Sequence, residues 1–141
     1  MSTSNVALIH QFEDLFVTGD MDGVLALLTD DIVVHEAPSV PYPGEHRGKD
    51  NFLKLADAFY EIWDIQGPLD LDIVPAGDDR VLSLVRFDVI VKPTGNPLEL
   101  RLAEIYTIRD GKIAEILVHY WDTAAMVEAT DGIKVLIGDA G

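Results

Sequence analysis

Cysteine is absent, and basic residues are scarce. Without thiols, disulfides, thiolate zinc sites and cysteine nucleophiles are excluded, and a reducing cytoplasm is a compatible compartment. Ten Lys and Arg against 25 Asp and Glu give a formal charge of -15, which repels nucleic acid, anionic lipid and polyanionic substrates. A neutral or cationic ligand suits such a chain better. No apolar run approaches the length of a membrane span. The opening MSTSNVALIHQFED has no basic region and reaches an acid early, so neither a signal peptide nor an anchor is expected there, and cytoplasmic is the expected location. Repeats, low-complexity tracts and interdomain linkers are also missing. What remains is globular composition, 48% hydrophobic and 25% charged over 141 residues, which predicts one domain, 1–141, with one core and one site.

The first half has helical periodicity. Val6, Ile9, Phe12 and Phe16 recur at helical spacing up to Gly19, and Asp20 is suited to cap a second short helix in which Val24, Leu27 and Leu28 face inward until Asp30-Asp31. Ile32 to Ala37 reads as a strand. Pro38, Pro41, Pro43 and Gly44 then force an irregular loop, and Phe52, Leu55, Ala56, Phe59 and Trp63 form the stripe of a third helix closed by Gly67-Pro68. The second half alternates instead. Strands are predicted at Leu69 to Pro75, Val81 to Lys92, Leu98 to Arg109 and Lys112 to Thr123, with turn residues between them. Helices first and long strands afterwards predict an α+β fold, a curved antiparallel sheet forming a cone-shaped half-barrel with three N-terminal helices around an apolar pocket. Ile133 to Ile137 is a weak apolar run to which the sequence assigns no role.

Strand alternation sorts the polar residues. Glu36 shares a face with Ile32 and Val34. Glu104 is the acidic exception on the face of Leu98, Leu100, Leu102, Tyr106 and Ile108, whereas Arg101 and Arg109 take the other face. Val85, Phe87, Val89 and Val91 are predicted inside, Arg86, Asp88 and Lys92 outside. On the last strand, pattern leaves two faces open: Leu117, His119 and Trp121, or Ile116, Val118, Tyr120 and Asp122.

The order of elements, with GDMDGVLALLTDDIVVHEAP, PYPGEHRGK, EIYTIRDGKIAEI and HYWDTAAM, resembles the nuclear-transport-factor-2-like superfamily over about Val6 to Met126, and within it the ketosteroid isomerases and SnoaL-like polyketide cyclases. The resemblance implies that Glu36 is the general-base carboxylate, Glu104 the protonated acid that binds an oxyanion, and Trp121 a pocket residue with His119 beside it. Asp122 matches the working acid of the cyclases. Phe12 replaces the phenolic donor of the isomerases, Leu28 and Ala56 replace supporting tyrosines, and Tyr106 is a candidate substitute phenol. Phe12, Val34, Phe59, Trp63, Phe87, Leu102, Tyr106, His119 and Trp121 are the expected ligand contacts.

The expected chemistry is cofactor-independent isomerisation or cyclisation by proton abstraction next to a carbonyl, with Glu36 ionised and Glu104 held neutral by burial. The partners expected are a small, largely apolar, carbonyl-containing molecule and a second copy of the chain, with no nucleic acid, membrane or metal; the outer-face positions suggested for a homodimer are Ile90, Ala103, Ile105 and Val118. Plainer roles stand beside these. Glu36 could bond the Trp121 indole, Glu104 could pair with His119, and Asp122 could cap a terminal helical turn. His35 is expected outward, His10 and His46 exposed, and the four histidines lack metal-site spacing. A noncatalytic binder or a dimerisation scaffold needs the same fold.

Overall fold

The computed structural model describes residues 2–137, with side chains from residue 4; the first residue and residues 138–141 lie outside the described residues. Helix α1 (Ser2–Thr18) ends at Gly19, whose φ of 79° suits glycine. Asp20 caps α2 (Met21–Ala26) by accepting from the Gly23 N–H at 2.9 Å. The chain then enters β1 (Leu28–Glu36), so Asp30 and Asp31 lie within a strand instead of ending the helix. After the proline-rich loop come β2 (Gly44–Arg47), which the sequence did not reveal, and α3 (Gly48–Ile62). Four strands follow: β3 (Trp63–Pro75), β4 (Arg80–Val91), β5 (Pro97–Arg109) and β6 (Lys112–Tyr120). A short α4 (Thr123–Thr130) closes the regular structure.

The six strands make one sheet in the order β2-β1-β6-β5-β4-β3. The α+β half-barrel is as expected, but the sheet is mixed: β1 runs parallel to β6 while every other pair is antiparallel. This parallel pair joins the first half of the chain to its last strand, a long-range pairing that local pattern does not carry. Trp63 opens β3 instead of ending α3, and β3 continues through Gly67-Pro68. Its ladder with β4 shifts register between Gln66 and Asp70, because Gly67 takes φ 79° and Pro68 has no N–H to give.

Helices α1 and α3 lie across the concave face. Tyr60 of α3 donates its hydroxyl to the Phe16 carbonyl of α1, and Phe16 meets Phe59 edge-on at 5.3 Å. Phe12, Phe52, Leu55, Ala56 and Ala58 are buried there. Each large side chain so buried stabilises the fold by about 1.5–3 kcal/mol. The unassigned tail also has a place: Ile133, Val135 and Ile137 pack on the core, and the Val135 N–H donates to the Pro41 carbonyl at 2.6 Å. Lys134 Nζ donates to the carbonyls of Pro38 and Val40 at 2.9 and 2.8 Å, so this tail straps the proline-rich loop.

Candidate functional site

Sheet register puts two acids on one row. Val34 pairs with Ile116 and His35 with Leu117, so the parallel ladder carried one residue further sets Glu36 beside Val118, which pairs with Glu104. Ser83 of β4 completes the row. Glu36 and Glu104 are therefore two strand spacings apart, about 10 Å between backbones, and both point inward. Between the sheet and helices α1 and α3 lies a cavity of about 90 Å³, lined by both carboxyls and by Phe12, Val34, Phe59, Phe87 and Leu102. That is small against the several hundred Å³ of a typical drug-sized site, and an occupant of one ring or a short chain fits it.

Three further polar residues line the cavity that the sequence reading missed: Glu13, Tyr42 and Tyr120. Glu13 follows Ile9 by four residues on the inward stripe of α1 and is 6% exposed. That spacing was the available signal. Its Oε1 accepts the Tyr106 hydroxyl at 2.6 Å. Tyr106 is fully buried behind Glu13 and does not line the cavity, so the expected direct ligand contact is replaced by support of Glu13. Trp63 is likewise absent from the lining; its indole N–H donates to the Tyr42 hydroxyl at 2.8 Å, and that hydroxyl lies 3.0 Å from the Tyr120 hydroxyl. This chain of donors comes from β3, the loop and β6.

The last strand follows its own alternation, not the resemblance. Val118 is buried and Tyr120 lines the cavity, whereas His119 is exposed and Trp121 is 76% exposed on the outer face, its ring 5.3 Å from the Arg101 guanidinium. His119 and Trp121 are therefore not ligand contacts here, neither bonds an inward glutamate, and Val118 is not an outer-face residue. Strand β6 keeps an unbroken period of two up to Tyr120, so placing Trp121 inward would turn Ile116 and Val118 to solvent. Asp122 lies outside the cavity lining and is exposed; its Oδ1 accepts the Ala125 N–H at 2.9 Å as the cap of α4. Its plainer role holds. His35 faces outward as expected, with Nε2 2.9 Å from Glu115, but His46 is 5% exposed and donates Nε2–H to the Tyr42 carbonyl at 2.9 Å. Burial there corrects the expectation of an exposed histidine. No group of three His, Cys, Asp or Glu placed to hold a metal occurs among the described residues.

Electrostatics separate the acids by environment. Burial pushes the Glu104 carboxyl well above the ordinary carboxylate range, and the charge of Glu13 pushes it further. Burial also raises Glu13, against the stabilising hydrogen bonds from Tyr106 and Glu104. Glu36 rises well above its usual range through burial alone, and its Oε1 has no hydrogen-bond partner. A less perturbed, ionised Glu36 was expected from its place near the loop and a bond to Trp121. No such bond exists, and burial favours the neutral form of Glu36. Burial pushes the Tyr42 and Tyr120 hydroxyls up as well, leaving both as neutral donors at neutral pH.

This geometry accords with comparison to known proteins. A comparison with curated proteins finds no match. Among solved structures, an NTF2-like protein from Burkholderia xenovorans is 28% identical, with 92% of this chain and 98% of that one covered and a TM-score of 0.84. A Mesorhizobium loti protein provisionally named a SnoaL-like polyketide cyclase is 26% identical over 85% of this chain and 100% of its own, with a TM-score of 0.69. A Xanthomonas campestris protein provisionally named a polyketide cyclase shares the fold at 17% identity, covering 92% and 98%, with a TM-score of 0.79. The SnoaL-like domain matches residues 9–116, most of the chain, and takes in the second half of α1, the cavity acids and the first half of β6; the chain belongs to the SnoaL-like domain family and has the fold of NTF2-like proteins.

Proposed function

We propose that this protein is a cofactor-independent isomerase or cyclase that moves a proton next to the carbonyl of a small, largely apolar compound. The observation that carries the reading is the inward row of Glu36, Val118 and Glu104, which gives one cavity two carboxyls about two strand spacings apart. In its ionised form Glu36, with an Oε1 that no protein donor occupies, takes the proton from the carbon beside the carbonyl. The neutral Glu104 carboxyl donates to the oxygen as it becomes an enolate. The enolate then either recovers the proton from Glu36 at another carbon, which is isomerisation, or forms a carbon–carbon bond to a second carbonyl, whose oxygen takes that proton. Glu13 and Tyr106 hold Glu104 from behind. The provisional name of the Mesorhizobium loti relative, a SnoaL-like polyketide cyclase, supports the cyclisation branch.

The reading includes one domain, a cytoplasmic location and a C₂ homodimer through the outer sheet face, where Leu84 is 45% and Trp121 76% exposed. No helix among the described residues is long and apolar enough to cross a membrane. The test is exchange of the α-hydrogens of small cyclic ketones, followed by NMR in deuterated buffer. Glu36→Gln should lower exchange by roughly two orders of magnitude or more while ketone affinity survives, and Glu104→Gln, which keeps a donor, should lower it less. Equal exchange in Glu36→Gln and the unaltered protein removes Glu36 as base. One specific observation favours a second reading, a noncatalytic binder: Glu36 is buried with no donor at Oε1, which favours its neutral form. No exchange by the unaltered protein at any pH from 6 to 9 would select it.

A further inference from the structure

The polar lining of the cavity has one sign. Glu13 comes from α1, Glu36 from β1, Glu104 from β5, and the phenols from the loop and β6; no Lys, Arg or His is among the lining residues. Carboxyls buried without a counter-ion destabilise a fold by several kcal/mol if charged, and are kept neutral if not. Glu13 and Glu104 share hydrogen bonds with Tyr106. Glu36 has no such company: its Oε1 is shut from solvent and meets no donor, although it faces the cavity. The same cavity is lined by Phe12, Phe16, Phe52, Phe59 and Phe87, and the faces of aromatic rings attract a cation. The net charge of -15 draws cations towards the molecule before any contact is made.

We infer that the occupant of this cavity carries a protonated amine, which donates to Glu36 and supplies the positive charge that the protein itself leaves out. The ligand class is a small lipophilic ammonium compound, its apolar body among the phenylalanines. The step balances as an exchange: the ammonium ligand meets the neutral Glu36 carboxyl, forms an ammonium–carboxylate pair, and the carboxyl proton passes to solvent. The other titratable groups facing Glu36 are Glu104, Tyr42 and Tyr120, with Glu13 behind Glu104. Burial favours the neutral form of the phenols and of Glu104 too, and only Glu36 offers the amine an oxygen without a partner, so the released proton comes from Glu36. The inference also deepens the proton-transfer reading, on which its second half rests. A substrate bearing both an amine and a carbonyl would ionise Glu36 on arrival and so create the base.

The test is calorimetric titration of the full chain with benzylamine and with benzyl alcohol, its neutral counterpart of similar size, in two buffers of different ionisation enthalpy at pH 7. Benzylamine should bind at least tenfold more tightly than the alcohol and release about one proton per molecule bound, its affinity rising with pH while Glu36 is protonated in the free protein. Glu36→Gln should abolish the proton release and the preference but keep the alcohol. Equal affinities for amine and alcohol, or amine binding without proton release in the unaltered protein, overturn the inference without recourse to any variant. Amine selectivity together with absent ketone exchange would retain it and refute only the proton-transfer reading.

Discussion

Tyr42→Phe tests the framework that holds the site. Tyr42 and Trp63 are each 1% exposed, and the Tyr42 hydroxyl both accepts the Trp63 indole N–H at 2.8 Å and pairs with Tyr120 at 3.0 Å. Removing one oxygen therefore deletes two hydrogen bonds and leaves a buried indole N–H without an acceptor. A neutral bond contributes about 1 kcal/mol net, and an orphaned buried donor costs about 1–3 kcal/mol, so the loss should be roughly 2–4 kcal/mol. For a chain of this length each kcal/mol corresponds to about 3–4 °C, giving a fall in Tm of roughly 6–16 °C. Tyr120→Phe loses one bond and leaves the indole satisfied, so about 1 kcal/mol is expected. Urea unfolding followed by tryptophan fluorescence and circular dichroism measures both. Trp63→Phe combined with Tyr42→Phe should cost less than the sum of the single changes, because the orphaned N–H disappears. A Tyr42→Phe variant within about 0.5 kcal/mol of the unaltered protein, or no less stable than Tyr120→Phe, would refute the reasoning.

The raised carboxyls predict how stability depends on pH. The folded chain keeps protons on Glu36 and Glu104 that the unfolded chain has released, so stability should fall as pH rises from the ordinary carboxylate range through their raised pKa values, by about 1.4 kcal/mol for each unit of rise. Glu36→Gln should flatten that slope and stabilise the protein at pH 8 relative to pH 4; urea midpoints over this range check the sign, and an unchanged slope would mean Glu36 is not held neutral. On the outer face, sedimentation velocity at micromolar concentration should show a homodimer, and Leu84→Lys together with Trp121→Ala should shift it to monomer without altering the cavity. A monomer from the start would remove the proposed interface.

Much was settled locally. The helical stripe of α1, the Asp20 cap, and the alternation that turns Glu104, Phe87 and Leu102 inward depend on residues a few positions apart, and their periods are written in the chain. Glu36 and Glu104 stand out there as acids on apolar faces. Glu13 was equally legible by its spacing from Ile9, but Phe12 next to it drew the comparison. On β6 alternation separated Ile116, Val118 and Tyr120 from His119 and Trp121 without choosing between the two faces; the resemblance turned His119 and Trp121 inside, and packing overruled it. Tertiary structure alone decided the rest. The parallel pairing of β1 with β6 unites residues about 80 positions apart in the chain, and it is this pairing that sets Glu36 on the row of Glu104. Tyr42 lies in an irregular loop with no period to reveal its direction; its place depends on the Trp63 N–H, the His46 contact and the strap from Lys134 and Val135. The ionisation of Glu36 was out of reach for the same reason: a carboxyl's charge is set by which donors surround it, and here the fold provides Oε1 with none.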